Sequence, residues 1–409
     1  MTDAAQRSAR RAATALAATL ALQVYTSLAA TALPVLAPAI APSFGVSPKL
    51  VGVFVGLLYV GSMASSLACG GPIGRFGAIR VSQACVLLCA MGVALLTLAG
   101  PGHPALLLAA LAPAVIGIGY GPITAASSQV LARTAPPSRM ALTFSIKQTG
   151  VPAGAALAGA LLPALLLVAG WRPALLAVAA LGVVVALAAQ PVRGNLDADR
   201  DPKRPLTFAG VFAPLRQVVA HPRLRDLALL GFFYAAAQVS LVSFLVVYLA
   251  EAHGRSLVTA GAALSVTTLG GVAGRIAWGI VADRTRAPAR VLAGLGVTGA
   301  LCAFITAAWP ATAPAWPLFV VLAVFGATAI GWNGVQLAEV ARNAPPGAAG
   351  AITGAAGFIT FAGVVCGPPA FAGLAAVTGS YAAGFVATGL GTLLAGVAFL
   401  MRSSRGAAR

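Results

Sequence analysis

The feature of this sequence that most constrains its fold is a succession of long apolar stretches separated by short loops. There are twelve of them, and each is about as long as the roughly twenty residues that a helix needs to cross a bilayer. Only 8% of the 409 residues are charged, whereas soluble domains carry about 25%. So few charges could not cover a water-exposed surface of this size. The sequence therefore predicts an all-α membrane protein of twelve transmembrane helices, two of which run over 140–168 and 315–341.

The formal net charge of +18 raises the question of nucleic-acid binding. The cations lie in short runs between apolar stretches, such as Arg284, Arg286 and Arg290, and are not interleaved with aromatic residues as in nucleic-acid grooves. This pattern is typical of cytoplasmic loops of membrane proteins. We predict a multi-pass protein of the bacterial inner membrane with both termini in the cytoplasm and no nucleic-acid partner.

One long polar stretch, residues 191–223, interrupts the apolar pattern at the middle of the chain. Six predicted helices precede it and six follow it. We interpret 1–190 as an N-terminal six-helix bundle, 191–223 as a cytoplasmic linker and 224–409 as a C-terminal six-helix bundle.

The two halves are related by an internal repeat. An offset of 209 residues superposes Tyr25 on Tyr234, Arg75 on Arg284, and the segment RTAPP (133–137) on RNAPP (342–346). Such matches extend through loops and helix interiors, so shared Ala and Leu content does not explain them. Parallel repeats about an axis along the membrane normal are a known transporter design, in which the substrate site lies at the repeat interface.

The segment Gly279-Ile-Val-Ala-Asp283-Arg284 resembles the G-x-x-x-D-R loop signature of the major facilitator superfamily, and Gly170-Trp171-Arg172 is similar to its G-W-R motif. The resemblance implies the two-bundle fold, alternating access, and a conformational latch that involves Asp283, Arg284 and, in the first copy, Arg75. The first copy has Gly74 where the signature has Asp. From this departure we predict a one-sided latch that relies on Asp283.

Two cations fall within the predicted helices, Lys147 in helix five and Arg275 in helix eight. A charge inside the hydrocarbon is costly and marks a functional candidate. By sequence, Glu339 is near a helix end and the other seven acids lie in loops or the tail, so we expect no fixed acidic partner. In the superfamily, helices five and eight adjoin each other, and a mobile anion is the natural partner of two such cations.

The spacing of Gly274, Arg275 and Asp283 also resembles helix eight of oxalate/formate exchangers and monocarboxylate porters, which carry a substrate-binding Arg there. Oxalate exchangers add a Lys in helix eleven, whereas here the Lys lies in helix five. The resemblance implies a carboxylate substrate. The alternative for Arg275 is a structural Arg bonded to helix carbonyls.

Several other polar and aromatic side chains are candidates for substrate binding, with packing or interhelical hydrogen bonding as an open alternative for each. They are Tyr25, Tyr120, Gln148, Tyr234, Gln238, Trp332 and Asn333. The five cysteines all fall in apolar runs without metal-ligand spacing, and no catalytic set converges. We expect no metal, no cofactor and no enzymatic activity.

The sequence thus favours a secondary active or facilitative transporter of a small organic anion, a mono- or dicarboxylate, that works as a monomer by rocker-switch alternating access. Its partners would be the substrate, the lipid bilayer, and a coupling proton or counter-anion. The alternatives are an exporter of drugs or hydrophobic compounds and a membrane sensor that does not transport.

Overall fold

The computed structural model describes residues 3–44, 51–98, 103–207 and 209–407, and these contain helices and loops but no strand. The helices of the first part of the chain are α1 (Asp3–Ile40), α2 (Val51–Ala68), α3 (Gly70–Phe76), α4 (Ala78–Leu98), α5 (His103–Thr134), α6 (Met140–Gln148), α7 (Gly150–Ala169), α8 (Trp171–Ala188) and α9 (Gln190–Leu196). Those of the second part are α10 (Ala209–Ala220), α11 (Pro222–Val247), α12 (Leu257–Thr285), α13 (Pro288–Ala307), α14 (Ala315–Ala329), α15 (Asn333–Arg342), α16 (Ala349–Thr378) and α17 (Tyr381–Ala407).

Twelve segments of the described chain are long and apolar enough to cross a membrane, which confirms the predicted fold class. The pair α6 and α7 forms one of these spans, α14 and α15 form another, and α3, α9 and α10 are short connecting helices. A π-helix, Tyr248–Ala252, continues α11. Large apolar side chains such as Leu167, Val168 and Val258 are more than four-fifths exposed. Lipid can cover such a surface, whereas water cannot do so without a large free-energy cost.

The two helices predicted over 140–168 and 315–341 are both interrupted. Thr149 separates α6 from α7, and three residues separate α14 from α15. At the second interruption Gly331 lies against the carbonyl of Ala327 and against Trp278, where a Cβ atom would overlap both. The interruption frees backbone carbonyls from the helical ladder, and these need other donors inside a membrane.

Small residues bring equivalent helices together in both halves of the repeat. A Cβ atom at Gly154 of α7 would overlap the carbonyl of Val24 in α1, and one at Gly363 of α16 would overlap the carbonyl of Phe232 in α11. Gly154 and Gly363 are repeat mates. Close approach at small residues is the usual way in which membrane helices pack.

By internal contacts the chain divides into two compact units. The first contains Met1–Pro136, Lys147–Val218 and Ala344–Phe358, and the second contains Pro137–Ile146, Val219–Asn343 and Ile359–Arg409. Each unit therefore contains most of the helices of one predicted half, together with the start of one helix from the other half. The start of α16 belongs to the first unit, and most of α6 belongs to the second.

Candidate functional site

In the first unit, Lys147 lies at the end of α6 with only 1% of its surface exposed. Its ammonium donates to Oε1 of Gln23 at 2.7 Å, Oε1 of Gln148 at 3.0 Å and Oγ1 of Thr124 at 3.4 Å. A Lys ammonium has three N–H donors and no acceptor, so these three neutral oxygens match its donors in number. Gln148 is thus placed beside Lys147 as the sequence suggested.

The sequence analysis missed Gln23 and Thr124 as partners of Lys147. Gln23 is a fully buried polar residue in the middle of α1, and that position in an apolar span was a usable signal. Thr124 also bonds to Gln23, at 3.3 Å. Thr124 lies four residues after Tyr120 on α5, so the partly buried Tyr120 shares its helix face.

In the second unit, Arg275 of α12 is 2% exposed and donates from Nε to the carbonyl of Ile330 at 3.2 Å. Ile330 is one of the three residues at the interruption between α14 and α15. The structural alternative for Arg275 required a hydrogen bond to a helix carbonyl, and this bond is present. It uses one of the five N–H groups of the guanidinium.

Three of the predicted site residues form one polar cluster next to this interruption. Oε1 of Gln238 accepts from Nε1 of Trp332 at 3.2 Å and from Nδ2 of Asn333 at 3.1 Å. Asn333 also reaches the carbonyl of Ile330, at 3.4 Å. Arg275 and Asn333 thus share an acceptor, which joins Gln238, Trp332 and Asn333 to the buried cation.

The two repeat-related tyrosines both make packing contacts between helices. Tyr234 donates to the carbonyl of Leu292 in α13 at 2.7 Å, and its ring meets that of Trp332 edge-on. Tyr25 lies against Gly182 of α8, and its hydroxyl has no hydrogen-bond partner within the described chain. Each tyrosine thus makes a packing contact, and its role in substrate binding remains a prediction.

All eight acids of the chain have partners of their own. Glu339 lies near the end of α15, and Asp197, Asp199 and Asp201 lie outside helices, as the sequence suggested. The other four acids, predicted in loops or the tail, lie in helices: Asp3 begins α1, Asp283 lies near the end of α12, and Asp226 and Glu251 lie in α11 and in the π-helix that follows it. Asp226 lies within α11, where it is 7% exposed and pairs with Arg402 at 2.7 Å. Glu251 lies in the π-helix and accepts from the hydroxyl of Tyr381 at 2.8 Å.

Asp283 of the second unit holds the start of α6, an arrangement that we call the α6 latch. Its Oδ1 and Oδ2 accept from the amides of Ala141 and Leu142 at 3.0 and 2.8 Å. These amides belong to the first turn of α6, which has no intrahelical acceptor for them, and the helix dipole favours a carboxylate at this end. The latch carboxylate thus caps a helix distant in sequence.

The cation that pairs with Asp283 is Arg342, at 3.4 Å. Arg342 also pairs with Glu339 at 2.8 Å, and Glu339 in turn contacts Arg223 at 3.4 Å. Arg284, predicted as a latch residue, is exposed and has no hydrogen bond or ion pair within the described residues. The repeated RTAPP and RNAPP segments carried the signal for Arg342, which the sequence analysis did not use.

Arg75, the predicted latch residue of the first copy, lies with its guanidinium 5.5 Å from the ring centre of the adjacent Phe76. Among the described residues it makes no ion pair. Its assignment to the latch remains a prediction.

Comparison with known proteins gives the same architecture. The profile of the Major Facilitator Superfamily matches residues 19–368. An uncharacterized MFS-type transporter of Mycobacterium tuberculosis (strain CDC 1551 / Oshkosh) is 26% identical over 264 residues, which cover 63% of this chain and 56% of that protein.

Solved structures with a similar fold include three transporters. The Escherichia coli fucose:proton symporter FucP has a TM-score of 0.74 at 17% identity, covering 94% of this chain and 97% of that one. The human organic anion transporter TETRAN has a TM-score of 0.76 at 17% identity, covering 95% and 99%. A bacterial homologue of the iron transporter ferroportin has a TM-score of 0.74 at 17% identity, covering 96% and 99%. These similarities concern the fold.

Proposed function

Since this chain belongs to the Major Facilitator Superfamily, we propose that it carries a small organic anion, a mono- or dicarboxylate, across the bacterial inner membrane by alternating access. The observation that carries the proposal is the burial of two cations within membrane-spanning segments, Lys147 at 1% and Arg275 at 2% exposure. Burying a charge at membrane depth costs several kcal/mol and calls for a compensating role.

Both cations lie at interrupted helices and contact neutral oxygens. Lys147 adjoins the interruption at Thr149, and Arg275 binds the carbonyl of Ile330 at the other interruption. A substrate carboxylate would replace a neutral acceptor by a negative charge, and the attraction between opposite charges is stronger in a buried, low-dielectric site than in water. This gain supports a negatively charged substrate and works against a cationic drug.

The two cations differ in how each can bind a carboxylate. Arg can bind a carboxylate through two parallel N–H bonds, whereas Lys acts as a point charge with three rotatable donors. Asn333 donates to the carbonyl of Ile330, and Gln238 accepts from both Asn333 and Trp332, so this cluster fixes the surroundings of Arg275. The surroundings of the Lys147 ammonium are fixed in the same way by the side-chain oxygens of Gln23, Gln148 and Thr124.

The proposal is tested by the thermal stability of the purified protein with a panel of carboxylates and their uncharged carboxamides. A ligand at 100 times its Kd stabilises the folded state by about 2.7 kcal/mol. We expect a carboxylate, but not its carboxamide, to raise the melting temperature. Lys147→Ala and Arg275→Ala should each abolish most of this shift, whereas Lys203→Ala, in the exposed linker, should keep it.

Two outcomes would contradict the proposal. If cationic compounds shift the melting temperature and no carboxylate does, the substrate class is wrong. If a carboxylate stabilises the parent protein and both alanine variants equally, the anion binds elsewhere.

A further inference from the structure

The first unit contains a carboxylate that makes up for the missing Asp at position 74. In the second unit, Asp283 joins Arg342 to the first-turn amides of α6. The repeat mate of Arg342 is Arg133, and Arg133 pairs with Asp199 of the linker at 3.0 Å. Asp199 therefore places a negative charge beside Arg133, where the repeat would lead one to expect an Asp at position 74.

Asp199 reaches the start of α16 through one intermediate side chain. Nε2 of Gln129 donates to Oδ2 of Asp199 at 2.6 Å, and Oε1 of Gln129 accepts from the amide of Gly350 at 2.8 Å. Gly350 lies in the first turn of α16 and is the repeat mate of Ala141, whose amide Asp283 caps directly. Nε2 of Gln129 also donates to the carbonyl of Gly347 at 3.1 Å. The side chain of Gln129 thus bridges the Asp199 carboxylate and the first-turn amide of α16, whereas Asp283 contacts the amides of α6 without a bridging residue.

The linker is anchored next to these groups by Asp197. Its two carboxylate oxygens accept from the amides of Ile79 and Arg80 at 2.7 and 3.1 Å, in the first turn of α4. Only 3% of Asp197 is exposed; burial raises the pKa of its carboxyl, and the two amide bonds oppose that effect. Gly77 has a φ of 95°, and its missing Cβ leaves the space that the Asp197 carboxyl occupies.

Two further contacts hold the linker over α3, the short helix between α2 and α4 that contains Gly74. The amide of Asp201 donates to the carbonyl of Gly74 at 2.8 Å. The side chain of Arg204 lies where a Cβ at position 74 would point. The linker therefore covers the position at which the superfamily signature places its aspartate.

We propose that Asp199 and Gln129 form an α16 latch, in which the linker supplies the carboxylate that the loop lacks and holds the start of α16 until the transporter changes conformation. The inference rests on the proposed function, because release of this latch is a step in alternating access. It makes the linker a moving part of the transport cycle. Asp283 and Asp199 then have equivalent roles in the two halves of the repeat.

A native cysteine can report the opening of this latch. Cys69 is 3% exposed, and a Cβ on Gly354 of α16 would lie 2.6 Å from its Sγ. Ser66 donates to the carbonyl of Gly354 at 3.0 Å at the same place. Movement of α16 away from α2 therefore uncovers the thiol.

The test measures the rate at which N-ethylmaleimide labels Cys69, read by peptide mass spectrometry on the purified full-length protein without substrate. Asp199→Asn removes a charge-assisted hydrogen bond, so we expect labelling to become about tenfold faster. Gln129→Leu should act in the same direction. The matched control is Asp201→Asn, because the Asp201 carboxylate bonds only to the amide of Lys203 within the described chain, and its rate should equal that of the parent.

An exchange of the two side chains tests whether the carboxylate itself holds the start of α16 or only holds the linker in place. Gln129→Glu combined with Asp199→Asn places the carboxylate directly on the amide of Gly350 and keeps the net charge. If the latch exists, the double variant labels nearly as slowly as the parent. Labelling of Asp199→Asn at the parental rate, or of the double variant as fast as Asp199→Asn alone, would overturn the inference. Because no substrate is present, a failed carboxylate screen would leave this result intact.

Discussion

The chemistry of Lys147 predicts that the residue is buried, but it does not predict which residues surround it. A lysine within an apolar stretch predicts a buried functional cation, and its side chain is buried. Its hydrogen bond to Gln23, at 2.7 Å, joins residues 124 positions apart in the chain. The ammonium and the amide oxygen share a low-dielectric setting, where each depends on the other for a hydrogen bond.

We therefore predict a strong coupling between Gln23 and Lys147 in protein stability. Gln23→Leu leaves the buried ammonium without its nearest acceptor and should lower the free energy of unfolding by about 1.5–3 kcal/mol. The double variant with Lys147→Met should lose much less than the sum of the two single losses, because no buried charge remains. Denaturant unfolding in detergent measures all four proteins, and additive losses would contradict the coupling.

At the scale of elements, the linker behaves as a structural element of the first unit. Asp197 caps α4, Asp199 reaches α16 through Gln129, and Asp201 bonds to the loop at Gly74. The sequence indicated a polar cytoplasmic linker at 191–223, and parts of that stretch form α9 and α10. Its role depends on helix starts whose free amides attract carboxylates.

Substitution of two glycines tests how the linker is docked. Gly77 and Gly170 both have positive φ, 95° and 83°, but a Cβ would overlap the Asp197 carboxyl at Gly77 and would meet nothing within 4 Å at Gly170. Both alanine variants carry backbone strain of about 1–3 kcal/mol, because positive φ with ψ near 150–170° is essentially restricted to glycine. Only Gly77→Ala should also speed hydrogen exchange at the amides of Ile79 and Arg80. Equal exchange in the two variants would show that Asp197 does not hold these amides.

At the scale of the whole molecule, twelve apolar spans and the superfamily profile establish a multi-pass membrane protein of the Major Facilitator Superfamily. The direction of the chain through the membrane rests on the distribution of Lys and Arg. Cationic loops are retained on the cytoplasmic side during insertion, which places both termini there in our prediction.

The orientation can be tested with two alkaline phosphatase fusions to truncated chains. A fusion after Arg255, in the loop before α12, should be active because that loop is predicted to face the periplasm. A fusion after Arg286, beyond α12, should be inactive because it follows one more membrane crossing. The reverse pattern of activities would invert the predicted topology.

The sequence by itself determined the spans, the repeat and the two cations within the spans. Hydropathy and charge are properties of each segment, and they decide whether that segment is stable in the bilayer. It predicted Gln148 beside Lys147, and it placed Gln238, Trp332 and Asn333 as candidates without showing that they meet. Only the tertiary structure decided which oxygens face Lys147, which carbonyl binds Arg275, and that Asp199 pairs with Arg133, the repeat mate of Arg342. Those contacts join residues far apart in the chain and depend on helix interruptions and free helix ends, which no local pattern specifies.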